Sequence, residues 1–348
     1  MREARFIKQN AEKWQRYQQT QTNNPDETAD RFITLIDDLS YAKTFYPKSK
    51  VTRWINGIAA GIYQSIYQNK KEKYTRIFQF WKFELPLLFK RYHRIFLFTT
   101  VVFLLFVGIG VFSSMKDENF IRGILGDDYV NMTEDNIRNG DPFGVYKDGN
   151  PFTMFVTIAL NNIFIAFMFV LGGFLLGIPT LFKWPLINVA GLWSTGMMLG
   201  AFQYMFFAHD LGLKSVLVIW IHGTLEISIF VIAATAGFII ASSMIFPGTF
   251  SRKVSCKRGI KDAIKILLII VPILLVAAFF ESYVTHLMSR TFDKANNAGL
   301  PVWAGATILA LSAGFIIWYF IILPIRLNRK GYYIQPDGII NRLKQEHA

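Results

Sequence analysis

Cysteine is almost absent from this chain: Cys256 is the only one among 348 residues. No intramolecular disulfide can form, and a structural zinc site built on thiolates is excluded. The sequence also lacks the Gly-x-x-x-x-Gly-Lys-[Ser/Thr] loop that binds nucleotide phosphates and the Gly-x-Ser-x-Gly turn that presents a serine nucleophile. These absences exclude an ATP-driven pump made of this chain alone and give no sign of a serine nucleophile elbow.

Charged residues are scarce over several runs of about 20 residues, which is the pattern of membrane-spanning helices. Hydrophobic residues make up 52% of the chain, and 33 residues are phenylalanine. The runs show no two-residue alternation, which argues against a transmembrane β-barrel. The N-terminal part is polar and has no short apolar core, so no cleavable signal peptide is expected. The sequence predicts an all-α, multi-pass membrane protein.

Six membrane helices are predicted, over residues 95–112, 151–178, 185–207, 215–246, 263–284 and 301–325. The fourth run is long for one crossing, so a tilted helix and a broken pair both remain open. We expect a water-facing helical region over residues 1–94, the membrane domain over 95–325 and a tail over 326–348. An external loop at 115–151 and a basic cytoplasmic loop at 247–262 join helices within the membrane domain.

The distribution of charge predicts an orientation. The formal net charge is +13, and residues 1–94 hold 18 Lys+Arg against 9 Asp+Glu, whereas the loop 115–151 holds 4 against 8. By the positive-inside rule, we expect the basic segments and both termini to be cytoplasmic. Because this bias explains the charge and no recognition motif accompanies it, no nucleic-acid partner is expected. The expected surroundings are membrane lipid.

Polar side chains interrupt the apolar runs, and the predicted orientation places them in the outer half of the membrane. His222 and Glu226 are four residues apart and therefore share a helical face. A carboxylate at such a depth costs about 2.5–3.5 kcal/mol on insertion scales, so it is expected to face a partner or a water-filled cavity. We predict an outward-facing polar pocket, and its candidate residues are Asn161, Asn162, Gln203, His209, His222, Glu226 and Glu281.

Two interpretations of these residues remain open. They either hold helices together through hydrogen bonds, each contributing about 0.6–2 kcal/mol, or they form a functional site. His222 and Glu226 have the spacing of two metal ligands, which His209 or Glu281 would complete, but no His-Glu-x-x-His sequence supports this interpretation. The sequence therefore predicts no metal and no cofactor. Small residues in the second, third and fourth runs favour packing within the chain, with a homodimer interface as the alternative.

Several stretches resemble a known family. They include residues 1–10 (MREARFIKQN), 37–49 (DDLSYAKTFYPKS), 161–163 (NNI), 222–226 (HGTLE), 247–248 (PG) and 281–285 (ESYVT). In this order they are similar to the stage II sporulation protein M family, the DUF95 membrane proteins. The chain departs from the usual family pattern at Ile221, where proline is frequent, and at Ser282, where glycine is frequent.

The resemblance implies a non-catalytic membrane scaffold that organises an envelope or peptidoglycan-remodelling complex, since the sporulation member works in this way. The alternative is a transporter or lipid-handling protein that uses the polar pocket around His222, Glu226 and Glu281. A third hypothesis is an intramembrane metallohydrolase. Partners would be envelope or peptidoglycan-remodelling proteins and a second copy of the chain.

The stretch 37–49 is expected to dock a partner or to brace the cytoplasmic helices. Its mixed charges and aromatic rings are compatible with either role. We expect Asp37 and Asp38 to pair with Lys43, Lys48 or Arg53. The candidate residues of this cytoplasmic motif are Asp37, Asp38, Ser40, Tyr41, Lys43, Phe45, Tyr46 and Pro47.

Overall fold

The computed structural model describes residues 2–20, 22, 24–67, 75–146, 150–176, 187–294, 298–335 and 340–342. The chain divides into two compact units, Met1–Arg76 and Ile77–Ala348. The predicted boundary at residue 94 marks the start of the membrane domain and stays a prediction. The division into compact units comes earlier, because Leu85 and Leu88 are buried in the core of the second unit.

The first unit is a small helical bundle with its own apolar core. It consists of α1 (Glu3–Gln19), α2 (Pro25–Phe45) and α3 (Lys50–Tyr67). Trp14, Leu35 and Ile55 are fully buried between these helices. The Asn24 side chain caps α2 by accepting a hydrogen bond from the Asp26 amide at 3.1 Å. Each helix buries one apolar stripe, as expected of helices that face water on the other side.

The helices of the second unit surround a long central helix, α11. After α4 (Thr75–Gln79) and a π-helical turn (Phe80–Glu84), the helices are α5 (Leu85–Arg91), α6 (His93–Lys116), α7 (Glu118–Leu125), α8 (Asp127–Arg138), α9 (Pro151–Leu176), α10 (Ile187–Ala208), α11 (Gly212–Ile245), α12 (Arg252–Phe279), α13 (His286–Arg290), α14 (Val302–Ile317) and α15 (Leu323–Arg329). Further π-helical turns lie at Phe280–Thr285 and Trp318–Ile322, and a 3-10 turn lies at Gly144–Tyr146.

Five helices of the described residues are long and apolar enough to cross a membrane: His93–Lys116, Pro151–Gly172, Gly212–Ile245, Arg252–Arg290 and Val302–Arg329. The predicted all-α, multi-pass membrane architecture is therefore confirmed. α11 is one unbroken helix of 34 residues, about 51 Å long at 1.5 Å per residue. The broken-pair alternative for this run is therefore wrong.

The predicted third membrane helix is present as α10, but it is not among the five. Its sequence carries Asn188, Gln203 and three glycines, which lower its hydropathy. Gly200 faces the backbone of Val107 on α6, and a Cβ added at Gly196 would meet Phe106 at 2.8 Å. The glycines thus let α10 lie directly against α6, as small residues do between membrane helices.

Two predicted loops contain more helix than the sequence indicated. α12 begins at Arg252, so most of the predicted basic loop at 247–262 forms its first turns, and the chain reverses at Gly248 with a positive φ of 63°. The predicted external loop at 115–151 contains α7 and α8. The tail adds a hairpin of β1 (Tyr332–Ile334) and β2 (Ile340–Arg342), in which Tyr332 pairs with Arg342. Amphipathic polar helices are harder to detect than apolar runs, because they lack a continuous apolar stretch.

An ion-pair cluster fixes α5 to α12. Lys265 Nζ lies 2.5 Å from Glu84 Oε1, and the Glu84 carboxylate is fully buried. The Tyr92 hydroxyl donates to Asp262 Oδ2 at 2.7 Å, and Arg91 lies 3.4 Å from the same oxygen. We call Glu84, Arg91, Tyr92, Asp262 and Lys265 the ion-pair cluster. It holds two acidic and two basic side chains, so its formal charges balance.

Candidate functional site

The imidazole of His222 lies between two side chains of the π-helical turn that follows α12. Its Nδ1 atom is 2.9 Å from Thr285 Oγ1, and its Nε2 atom is 4.0 Å from Glu281 Oε1. His222 itself is 5% exposed. π-helical turns are frequent at functional sites, because the extra residue re-aims the side chains of the turn. Here the turn places Glu281 and Thr285 on opposite nitrogens of one ring.

Glu226 joins this arrangement from the next turn of α11. Ligand-type atoms of His222, Glu226 and Glu281 all lie within 4.8 Å of one another. Asn162 of α9 lies within hydrogen-bonding reach of the Glu226 carboxylate and is 4% exposed. We call His222, Glu226 and Glu281 the carboxylate–histidine cluster. It lies where α9, α11 and the end of α12 meet.

In the described part of the chain, the carboxylate–histidine cluster has no basic partner comparable to Lys265 or Arg91. Among the residues that the structure describes, no lysine or arginine forms an ion pair with Glu226 or Glu281. Glu226, a like charge, interacts electrostatically with Glu281. Among the described residues, the two carboxylates therefore share the His222 imidazole, and the Asn162 amide contacts the Glu226 carboxylate.

A cavity of about 340 Å³ opens on one side of the cluster. His222, Gly223 and Glu226 line it from α11, while α7, α8 and α10 supply mostly apolar walls, including Met198 and Phe202. A Cβ added at Gly223 would meet no atom within 4 Å, so the helix presents open space at that point. The cavity can therefore admit a largely apolar molecule up to the polar atoms of His222 and Glu226.

Tyr129 of α8 is a further polar group on the wall of this cavity. Burial raises the pKa of its phenol to about 12. The hydroxyl therefore keeps its proton at neutral pH and stays able to donate a hydrogen bond.

Three of the predicted pocket residues lie outside the carboxylate–histidine cluster. The Gln203 side chain donates to Ser215 Oγ at 2.7 Å and accepts from Trp220 Nε1 at 2.8 Å, so it fixes α10 to α11. His209 lies at the end of α10, where its ring nitrogen is 2.8 Å from the Met205 carbonyl. Asn161 is exposed on α9, where its side-chain amide donates to Asn162 Oδ1 at 3.5 Å.

Two residues that matter for the site were not among the candidates. Thr285 contacts the His222 ring, but an isolated threonine near a helix end carries no sequence signal. Asn188 is fully buried and donates to the Ala234 carbonyl at 3.0 Å, which ties α10 to α11. An amide in an apolar run was the signal that could have identified Asn188.

The cytoplasmic motif contributes to the core of the first unit. Asp38 accepts a hydrogen bond from Trp14 Nε1 at 2.7 Å and forms an ion pair with Lys13 at 2.6 Å. The expected pairing of Asp38 with a nearby lysine or arginine of its own stretch is therefore wrong. The partner comes from α1 instead, because Asp38 lies on the face of α2 that packs against Trp14. Asp38 braces the bundle.

The aromatic residues of the motif form a group beside Phe6. The Tyr41 ring lies 5.0 Å from the Phe6 ring and 4.6 Å from the Phe45 ring, and Tyr46 lies 5.9 Å from Phe6. Burial, with Tyr41 nearby, raises the pKa of Tyr46. Phe45 remains 58% exposed.

The other motif residues lie on the outside of α2 or just after it. Ser40 donates to the Ile36 carbonyl at 2.8 Å within its own helix. Asp37 and Lys43 are exposed, and Pro47 lies in the turn before α3.

The two units match separate family models. A model described as Stage II sporulation protein M matches residues 99–286, which is more than half of the chain. A model described as a domain of unknown function (DUF8413) matches residues 4–68. No curated protein and no solved structure matches the chain.

Proposed function

Because the chain belongs to the Stage II sporulation protein M family, we propose that it is a non-catalytic scaffold of a bacterial inner membrane. The scaffold would organise proteins that remodel the envelope or the peptidoglycan. The clustering of basic residues at the start of α12 and in α15 supports the predicted orientation with cytoplasmic termini. The first unit would then meet its partners in the cytoplasm.

The observation that carries this proposal is an exposed apolar surface on the first unit. Ile33 and Ile36 on α2 and Ile66 on α3 are 59%, 39% and 45% exposed. The Phe32 and Tyr63 rings, 6.2 Å apart, bring these parts of the two helices together. A group of exposed large apolar side chains on a water-facing bundle is typical of a protein-interaction site. We infer that a protein partner covers it.

Crosslinking with mass spectrometry in native membranes tests the scaffold role. The wild-type chain should give reproducible crosslinks from the first unit to at least one protein. The variants Ile33→Ser and Ile66→Ser should lose these crosslinks, whereas Glu12→Ser, an exposed change on α1, should keep them. The proposal fails when the wild-type chain has no stable partner, or when both surface variants keep the wild-type crosslinks.

A second candidate function, lipid handling or transport, is favoured by the cavity beside the carboxylate–histidine cluster. Its walls are mostly apolar and its floor carries His222 and Glu226, which suits a molecule with an apolar body and a polar end. Under this hypothesis the cluster would bind the polar end or a coupled cation.

The substitutions Glu226→Gln and Glu281→Gln, made singly, separate the two functions. A scaffold should keep its cellular function in both variants, provided that they accumulate in the membrane like wild type. A lipid handler or transporter should lose function at normal accumulation. Retained function in both variants would rule out the second candidate.

A further inference from the structure

We propose that the carboxylate–histidine cluster binds one divalent transition-metal ion of the Zn²⁺ or Mn²⁺ type. His222 Nε2 and one carboxylate oxygen each of Glu226 and Glu281 would be its ligands. This site clamps α11 to the end of α12, and it is independent of the scaffold role proposed above.

The geometry is close to that of a bound site. Metal–ligand bonds of about 2.0–2.2 Å in a tetrahedral site place neighbouring ligand atoms roughly 3.3–3.6 Å apart. The three side chains have their ligand-type atoms within 4.8 Å of one another, and Nε2 of His222 is 4.0 Å from Glu281 Oε1. The Glu281 side chain is 19% exposed and can rotate, so a small movement of this glutamate closes the site.

The surroundings of His222 match those of a metal ligand. A ligating histidine usually donates its other ring N–H to a neighbouring oxygen, which fixes the tautomer and the ring orientation. Thr285 Oγ1 lies 2.9 Å from Nδ1 and provides that oxygen. With Nδ1 as the donor, the lone pair of Nε2 faces the side where Glu281 lies. Asn162, beside the Glu226 carboxylate, orients the second ligand in the same way.

Charge balance is an independent reason to expect a cation. The ion-pair cluster matches each buried carboxylate with a lysine or arginine, as buried charges require. In the described part of the chain, Glu226 and Glu281 have no such partner. A divalent ion would neutralise both at once. The imidazole ligand favours a transition metal over Mg²⁺ or Ca²⁺, which prefer oxygen ligands only.

The cavity gives the proposed site an open side. Sites with three protein ligands commonly leave a fourth position for water or a ligand, unlike closed structural sites. His222 and Glu226 both line the cavity, and Gly223 leaves the space between them and the cavity free of side-chain atoms. A small polar group that enters the cavity would therefore reach the metal.

Metal analysis of the purified full-length protein tests the proposal. The protein carries a removable tag without histidines, and a Cys256→Ser variant is analysed in parallel as a control for metal bound to the thiol. After chelator treatment, it is reloaded with ZnCl₂ or MnCl₂, gel-filtered and analysed by mass spectrometry, and the affinity is measured by titration calorimetry. We expect about one ion per chain in the wild-type protein. X-ray absorption should show nitrogen and oxygen ligands without sulfur.

Four variants define the ligands. Glu226→Gln and Glu281→Gln should each lower the affinity by more than tenfold, and Thr285→Val should lower it about 10- to 100-fold through the orientation of His222. Asp262→Asn is the control: it removes a buried carboxylate of α12 that belongs to the ion-pair cluster and not to the proposed metal site. This variant should keep the wild-type stoichiometry. When a glutamine variant is not monodisperse, Thr285→Val and the wild-type protein decide the outcome. The proposal is overturned by a wild-type protein that retains no metal, or by variants that bind it as wild type does.

Discussion

The membrane unit buries two clusters of ionisable side chains along α12, and they differ in how their charges are compensated. The ion-pair cluster sets Glu84 and Asp262 against Lys265 and Arg91. The carboxylate–histidine cluster lies further along, since Glu281 follows Lys265 by about 24 Å at 1.5 Å per residue. There Glu226 and Glu281 meet one imidazole. The first is surrounded by packed helices, whereas the second adjoins a cavity of about 340 Å³.

This difference separates a structural role from a binding role. A buried carboxylate with its cation in contact needs nothing further, and its main effect is to fix which helices meet. A pair of carboxylates without a cation is unfavourable unless it binds protons or a metal ion. Such groups within membrane helices mark functional sites by default. Substitutions in the two clusters should therefore change the stability of the membrane unit by different amounts.

The largest effect is expected from Lys265→Met. This change leaves Glu84 fully buried without its cation, so the free energy of unfolding should fall by about 3–5 kcal/mol. Unfolding by denaturant titration in detergent micelles measures it. The double variant Lys265→Met/Glu84→Gln should recover most of the loss. A single variant as stable as wild type would show that the ion pair is not what holds α5 to α12.

The next largest effect is expected from Tyr92→Phe, which removes one hydrogen bond to the Asp262 carboxylate. Loss of a bond to a charged group should lower the free energy of unfolding by about 1.5–3 kcal/mol near neutral pH.

Burial and the Asp262 carboxylate also raise the pKa of Tyr92 above its usual value. A raised folded-state pKa of a phenol contributes stability below the unfolded pKa near 10, and this contribution is lost as pH rises through the folded pKa. Tyr92→Phe should therefore weaken the loss of stability above pH 10. An unchanged alkaline profile would contradict this assignment.

A smaller effect of opposite sign is expected from Glu281→Gln in chelator-treated protein. The change removes one of two like-charged groups that have no cationic partner among the described residues, so the free energy of unfolding should stay equal or rise by up to about 1 kcal/mol. The same titration measures it. A fall as large as that of Lys265→Met would mean that Glu281 has a cationic partner, and the contrast between the clusters would disappear.

The smallest effect is expected from Gly223→Ala, because the space beside Gly223 is open. Replacing an interior helical glycine by alanine should raise the free energy of unfolding by about 0.5–1 kcal/mol. The matched change Gly200→Ala should lower it, since a Cβ there meets the α6 backbone. Thermal unfolding measures both changes. If Gly223→Ala lowers the stability as much as Gly200→Ala does, the space beside Gly223 is not open.

The apolar runs predicted most of the fold, because continuous hydrophobic stretches are a direct signal of membrane helices. The start of α12 at Arg252 and the helices α7 and α8 escaped detection, since polar helices lack that signal. Within the site, the spacing of His222 and Glu226 predicted that they share a face. The tail hairpin, with Ile334 packed in the core of the unit, had no comparable pattern.

The class of the protein and the presence of costly carboxylates in apolar helices follow from the amino-acid sequence, because hydropathy and i, i+4 spacing are local properties. The family follows from short motifs in the sequence. Which polar groups meet depends on how the helices pack. In the folded chain, His222 contacts Glu281 and Thr285, which are 59 and 63 positions away in sequence. Gln203 and His209 make other contacts. Glu84 pairs with Lys265, whereas Glu226 and Glu281 share one imidazole. Such pairings depend on helix packing, which brings together residues that are distant in sequence.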